Sequence, residues 1–117
     1  MSYAKMGRKS ERRVAKTMGA RLTHNSGASS FDKGDMTLSE FPFGRLRLEA
    51  KSTSRDSFSI KRETLEKIVD EASAAGDFPA FTISFVLTDG RPKRAGEWAM
   101  IPLDIFRELL ALAKESK

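Results

Sequence analysis

A carboxylate and an ammonium two residues apart, Glu49 and Lys51, are the side chains of this sequence best placed to do chemistry. The run before them, Arg45-Leu46-Arg47-Leu48, alternates basic and apolar residues and predicts a β-strand. Because successive side chains of a strand point to opposite faces, Glu49 and Lys51 share a face with the arginines, and the leucines face the core. A second acid, Asp35, precedes the short run Met36-Thr37-Leu38, where a neighbouring strand can begin.

Acids in this arrangement would bind a hard divalent cation if the fold brings them together. Two ionised carboxylates about 5 Å apart repel by about 3 kcal/mol at an effective dielectric constant of about 20, so a cluster of Glu11, Asp35 and Glu49 needs protonation or a cation. Oxygen ligands in a chain without cysteine favour Mg²⁺ or Mn²⁺ over zinc. Asp35 and Glu49 would hold the ion, with the backbone carbonyl of Ala50 as a further candidate ligand. Such an ion could bind a phosphate ester and orient a water to attack it. Lys51 would then hydrogen-bond that water or offset the charge that develops on the phosphate.

The same spacing has a simpler interpretation. A Glu and a Lys on one face of a strand also form solvated surface ion pairs, which contribute well under about 1 kcal/mol to stability. The catalytic interpretation therefore depends on what surrounds the pair in the fold.

The elements that position these residues follow from hydrophobic spacing. Three segments have the periodicity of amphipathic helices and five have the pattern of strands. The order αβββαββα predicts one α/β domain over residues 1–117, with a mixed central sheet of about five strands flanked by helices. The predicted helices are residues 4–18, with the C-cap at Gly19, residues 60–75, and the segment after Pro102. The predicted strands are residues 20–25, a strand that starts at Met36, the strand that holds Glu49 and Lys51, Phe78–Leu87, and Gly96–Ile101.

The last predicted helix carries an apolar arc that is wide for a helix at the end of a small monomer. Part of this arc would meet a second subunit, and packing on the sheet is an equal alternative. Trp98, on the strand before it, is expected in the core or at an interface. The arc consists of Leu103, Phe106, Leu110 and Ala113, with Ile105, Leu109 and Leu112 beside them.

Composition limits the partners. The 117 residues include 21 Lys and Arg against 16 Asp and Glu, a net charge of +5, which favours a polyanionic partner, with nucleic acid before a membrane surface. The lack of cysteine excludes a disulfide framework, a thiolate zinc site and a cysteine nucleophile. No apolar run approaches the roughly 20 residues of a membrane span, and no signal peptide is seen, so we expect a cytoplasmic protein without a membrane partner.

Six segments, taken in order along the chain, carry a resemblance to a known family. They are Gly7-Arg8-Lys9-Ser10-Glu11-Arg12, Ser26-Gly27-Ala28, Asp35, Glu49-Ala50-Lys51, Ile60-Lys61-Arg62-Glu63 and Trp98-Ala99-Met100-Ile101-Pro102. Together they resemble the PD-(D/E)xK nucleases, and most closely the archaeal-type Holliday junction resolvases and their phage relatives, whose first helix has a Gly-x-x-x-Glu-Arg opening. Gly34 stands where the superfamily name has proline, and His24 stands where several resolvases carry arginine.

The resemblance implies a restriction-endonuclease-like core and an Mg²⁺- or Mn²⁺-dependent endodeoxyribonuclease. Such a homodimer would resolve four-way (Holliday) junctions by paired nicks on opposing strands, with water attacking the phosphodiester, in the cytoplasm of a cell or of a virus's host. It implies catalytic roles for Asp35, Glu49 and Lys51, and for Glu11 as a metal ligand, direct or through water. DNA contacts are expected at Arg8, Lys9, Arg12, His24, Ser26 and Arg47.

Two alternatives remain open at this point. One is a nuclease of the same superfamily that acts on other branched, single-stranded or duplex DNA. The other is a DNA-binding module that keeps the fold without catalysis, for which the loss of an acid or of the lysine would be the expected sign. Neither loss is found in this sequence, since Asp35, Glu49 and Lys51 are all in place.

Overall fold

Helices and strands follow one another in the predicted order αβββαββα along the chain. The computed structural model describes residues 2–22 and 35–116, without the side chains of Ala4 and Asp35. The helices are α1 (Tyr3–Met18), α2 (Arg62–Ala74) and α3 (Leu103–Glu115), and the strands are β1 (Arg21–Leu22), β2 (Asp35–Phe41), β3 (Gly44–Thr53), β4 (Phe78–Val86) and β5 (Pro92–Met100). The predicted end of the first strand and the loop Ser26–Gly34 lie outside the described residues.

One mixed sheet holds the described strands, in the spatial order β1-β2-β3-β4-β5. The first three form an antiparallel meander, β3 and β4 run parallel, and β4 and β5 are antiparallel. A parallel pair needs a long crossover connection, and α2 supplies it. The prediction of an α/β fold with a five-stranded mixed sheet flanked by helices is therefore confirmed.

Helix α1 covers the face of the sheet formed by the even-numbered residues of β3. Its N-cap is Ser2, whose side-chain oxygen accepts a hydrogen bond from the Lys5 N–H at 3.2 Å, and its C-cap is Gly19, which has φ 66°. A left-handed C-cap of this kind is the position that glycine occupies at least cost. The core under α1 contains Val14, Ala15, Met36, Leu46, Leu48, Ala50 and Ala80, all buried.

Helix α2 covers the opposite face. Its Ile68 packs with Phe81 and Ile83 of β4 in a second, smaller core. The ladder pairs Glu49 with Phe81 and Lys51 with Ile83, so the two polar residues of β3 share the face on which α2 packs. The leucines of β3 are buried, as predicted, and the face with Glu49 and Lys51 is partly covered by α2.

Strand β5 starts at Pro92, four positions before the predicted Gly96, and its ladder with β4 is irregular between Ser84 and Val86. Proline is tolerated at the first residue of a strand. At Gly96 a Cβ would lie 2.6 Å from the Lys93 carbonyl oxygen and 2.7 Å from that of Phe85, so the irregularity requires glycine. Pro92 and Gly96 are residue types that normally interrupt a strand, and both belong to β5. For this reason the sequence pattern places the beginning of β5 too late in the chain.

Helix α3 contains no buried residue. The alternative that its apolar arc packs on the sheet is therefore wrong, since Leu103 is 81% exposed and Leu110 is 55% exposed. Trp98 was expected in the core or at an interface. It is 60% exposed, so it does not lie in the core. None of the helices in the described ranges has the length and apolar character needed to cross a membrane.

Candidate active site

Positions 35 and 49, which carry two of the predicted catalytic acids, are direct partners in the ladder between β2 and β3. Directly opposed residues of antiparallel strands have Cα atoms about 4.5 to 5.5 Å apart and share a face of the sheet. The side chain of Asp35 lies outside the described residues. The backbone register alone therefore places the two positions as neighbours on one face.

Glu49 and Lys51 form an ion pair on that face, with Lys51 Nζ 3.1 Å from Glu49 Oε1. The Glu49 side chain is only 16% exposed, whereas that of Lys51 is 38% exposed. A fully solvated surface pair would leave both groups in water, and this carboxylate is largely shielded from it. Shielding makes the carboxylate depend on a cationic partner, because an ionised group loses hydration when it is buried.

The surroundings of the pair are apolar on the side of β4. Phe81 and Ile83 are the ladder partners of Glu49 and Lys51, and both are buried against Ile68 of α2. Apolar neighbours lower the local dielectric constant, so a charge held here interacts more strongly than it would at an open surface. This location suits a site that binds a cation and an anionic substrate.

Two arginines of β3 are held beside Glu49 by an acid that the sequence reading did not identify. Asp77, whose side chain is 2% exposed, accepts hydrogen bonds from Arg45 Nε at 2.6 Å and from Arg47 Nε at 3.2 Å. The hydrogen bond and the charge of Asp77 raise the pKa of Arg45 above its ordinary value. Asp77 thus orients both arginines on the face of β3 that carries Glu49.

The local sequence explains the position of Asp77. It follows Gly76, which has φ 74°, at the end of α2, and its backbone N–H donates to the Ala72 carbonyl at 2.8 Å. The turn thus directs an acid back toward β3, immediately before β4 begins. An acid between a helix-ending glycine and an apolar strand is the signal that could have identified it.

Glu11, the third predicted acid, lies on α1 and is partly buried. Since α1 packs on the face formed by Leu48 and Ala50, Glu11 approaches the sheet from the side opposite to Glu49.

Among the residues whose side chains are described, no three acids or histidines are grouped so that they could hold one metal ion. That search does not include the Asp35 side chain, so the predicted set of Glu11, Asp35 and Glu49 is not tested by it. Ala50, whose carbonyl was predicted as a further ligand, is 8% exposed and belongs to the main core. Its rigid setting fixes the backbone next to Glu49.

The basic residues of α1 divide into two groups. Lys9 Nζ donates to the Asp89 carbonyl at 3.0 Å, and Arg13 binds Glu97 at 3.0 Å and the Gly90 carbonyl at 2.8 Å. These contacts tie α1 to the hairpin between β4 and β5. Arg8 and Arg12 are exposed. Two further predicted DNA contacts, His24 and Ser26, lie outside the described residues.

Comparisons of the chain with family models, with curated proteins and with solved structures give no match.

Proposed function

We propose that this protein is a metal-dependent endonuclease with a restriction-endonuclease-like core that nicks DNA at four-way junctions. The observation that carries the proposal is the ladder pairing of Asp35 with Glu49, next to the shielded ion pair between Glu49 and Lys51. The sheet order and the helices on its two faces are compatible with such a core. The resemblance described above supplies the reaction class, because Asp35, Glu49 and Lys51 occupy its three motif positions.

The donor set fits a hard divalent cation. Asp35 and Glu49 offer carboxylate oxygens from adjacent strands, and the Ala50 carbonyl belongs to the next residue of β3. Oxygen donors of this kind are the ligands that Mg²⁺ and Mn²⁺ take in proteins. When bound, the ion would polarise the scissile phosphate and lower the pKa of a coordinated water. By the resemblance, Glu11 of α1 would add a carboxylate, directly or through water.

Lys51 has the role of a charged hydrogen-bond donor. Its ammonium, now 3.1 Å from the Glu49 carboxylate, lies close enough to donate to the attacking water or to a non-bridging phosphate oxygen. A fixed positive charge of this kind stabilises the negative charge that develops as the phosphodiester is attacked. Because Lys51 follows Glu49 by two residues on β3, the ammonium and the proposed metal ligand lie on the same face of the sheet.

The DNA backbone would be held by basic residues of β3 and of α1. Arg47, oriented by Asp77, lies two residues from Glu49 on the same face, and exposed Arg8 and Arg12 extend from α1. Lys9 uses one of its N–H groups for the Asp89 carbonyl and retains others for a phosphate. His24 and Ser26 complete the proposed contacts. No motif for reading base edges is present, so recognition would depend on the shape of the junction.

Paired nicking implies two active sites, and we propose a homodimer whose symmetry places one site on each of two opposing strands. A cytoplasmic location, in the host cell if a virus encodes the protein, follows from the proposed DNA substrate. The alternative of a nuclease acting on other DNA forms uses the same residues and differs only in substrate. The alternative of a non-catalytic DNA-binding module gives the ion pair of Glu49 and Lys51 no role in catalysis.

A substrate panel tests this proposal. Purified protein with Mg²⁺ is incubated with end-labelled four-way junction, flap, single-stranded and linear duplex DNA, with EDTA as the control. We expect symmetric paired nicks in the junction, favoured over the duplex by about tenfold or more, which corresponds to about 1.4 kcal/mol of barrier. Equal rates on all four substrates would favour the general nuclease. Binding of the junction without any cleavage would favour the DNA-binding module.

A further inference from the structure

Helix α3 lacks the tertiary contacts that normally stabilise a helix of its length. It has 13 residues and none of them is buried. Such a helix is about 20 Å long, and isolated helices shorter than about 12 to 15 residues are marginal in water. Its apolar residues nevertheless remain outside the core, with Leu103 81%, Phe106 49% and Leu110 55% exposed. A partner surface is needed to cover them.

An apolar groove on the same chain has the right character for that surface. It lies between α2 and the strands β4 and β5, ends at the residues that lead into α3, and has a volume of about 240 Å³. The groove remains open although α3 starts at its edge. It is lined by Leu65, Ile68, Val69, Pro79, Phe81 and Met100.

The joint between β5 and α3 explains why α3 does not fill the groove of its own chain. Pro102 precedes the helix with φ −55° and ψ 144°, and its ring fixes φ. The residue before a proline, here Ile101, is restricted to extended conformations. This stiff joint resists the reversal that would fold α3 back onto its own α2.

We propose that α3 of one copy lies in the α2–β4–β5 groove of a second copy, and that the exchange is reciprocal. Every copy carries both the helix and the groove, so a two-fold arrangement covers both surfaces twice. At about 200 Å² for each fully exposed large apolar side chain, the exposed parts of the α3 arc and of the groove residues Val69 and Met100 sum to roughly 600 Å² per protomer. That area approaches the roughly 800 Å² per partner of a standard stable interface.

This interface rests on the proposed function in one respect, since it would form the homodimer that paired nicking requires. The experiments that test the interface use no DNA. A failure here would therefore remove this interface and leave cleavage of DNA to be judged by the substrate panel.

Sedimentation of the full chain gives the first test. We expect a dimer at micromolar concentration, and we expect Phe106→Glu or Leu110→Glu to raise its dissociation constant by at least about 30-fold, as for interface hot spots. Glu108→Lys, on the opposite side of α3, is the matched control and should leave the dimer intact. Because these positions lie outside the core, the variants should keep the sheet and the other two helices, and any loss of circular dichroism signal should be limited to the helical contribution of α3. A wild-type protein that sediments as a monomer would overturn the proposal.

Disulfide trapping then tests the reciprocal placement, because the chain contains no cysteine. Phe106→Cys or Leu110→Cys, one helical turn apart, is mixed with Val69→Cys and oxidised. We expect a covalent dimer from at least one mixture, joining the α3 cysteine to the groove cysteine. A Leu110→Cys protein that instead cross-links only to itself would show two α3 helices packed on each other, which would overturn the groove as the docking site.

Discussion

Replacing Glu49 by glutamine should reduce junction cleavage by about a thousandfold, which corresponds to about 4 kcal/mol of barrier. The substitution keeps the shape of the side chain and removes the charge that would hold the divalent cation beside Asp35. DNA binding should be retained or slightly tightened, because Lys51 loses the carboxylate that lies 3.1 Å from it. Single-turnover cleavage in Mg²⁺ and a gel-shift titration in EDTA measure the two effects separately.

The matched control is Glu40→Gln, an exposed acid on the neighbouring strand β2. It makes the same change of charge away from the proposed site, so its cleavage rate should stay within about twofold of the wild-type rate. A Glu49→Gln protein that cut as fast as the control would remove the catalytic assignment of Glu49.

Replacing Lys51 by alanine should slow cleavage by about 10² to 10³, the range found when one preorganised donor to a developing oxyanion is removed. The acids remain, so binding of the divalent cation should persist or strengthen, since the ammonium no longer competes for Glu49. Lys51→Arg should restore little activity, because a planar guanidinium does not reproduce the point charge of an ammonium. Stopped assays at saturating DNA, with Mn²⁺ affinity measured in parallel, separate these effects.

Lys67→Ala, on α2 in the exposed part of the surface, is the control for the lost charge. If Lys51 served only as a surface ion pair, its removal would match Lys67→Ala in cleavage rate and change stability by less than about 1 kcal/mol.

The sheet and the arrangement of β3 could be predicted because they depend on local pattern. The alternation of Arg45 to Leu48 determines which residues face the core, and the short connection through Pro42 and Phe43 brings β3 back beside β2. Once these two strands pair as neighbours, the acids of each lie near one another. The direct pairing of Asp35 with Glu49 also needs the register shift between Leu38 and Phe41, which periodicity does not predict, because a regular ladder continued from Phe41 and Gly44 would place Asp35 opposite Ala50.

Contacts between distant segments could not be predicted in this way. Asp77 meets Arg45 and Arg47 across about thirty residues of sequence, and only the fold brings the end of α2 to β3. Arg13 of α1 likewise pairs with Glu97 of β5, more than eighty residues further along the chain. No spacing rule connects these residues, because the contacts depend on how α1 and α2 pack on the sheet.

The exposed state of α3 is a further property that its pattern does not determine. An apolar arc predicts that a helix is covered, and it does not say by what. The sequence left the sheet and a second subunit as equal candidates. The structure removes the first, because the helix that follows Pro102 leaves the groove beside α2 open.

If Asp35 and Glu49 together hold a divalent cation, calorimetric titration of Mn²⁺ into the protein without DNA will detect it. We expect saturable binding by the wild-type protein, weakened by about tenfold or more in both Asp35→Asn and Glu49→Gln, since each removes a charged ligand from one shared site. Binding of equal strength in the wild type and both variants, or no binding by the wild type, would show that the two acids do not form a metal site.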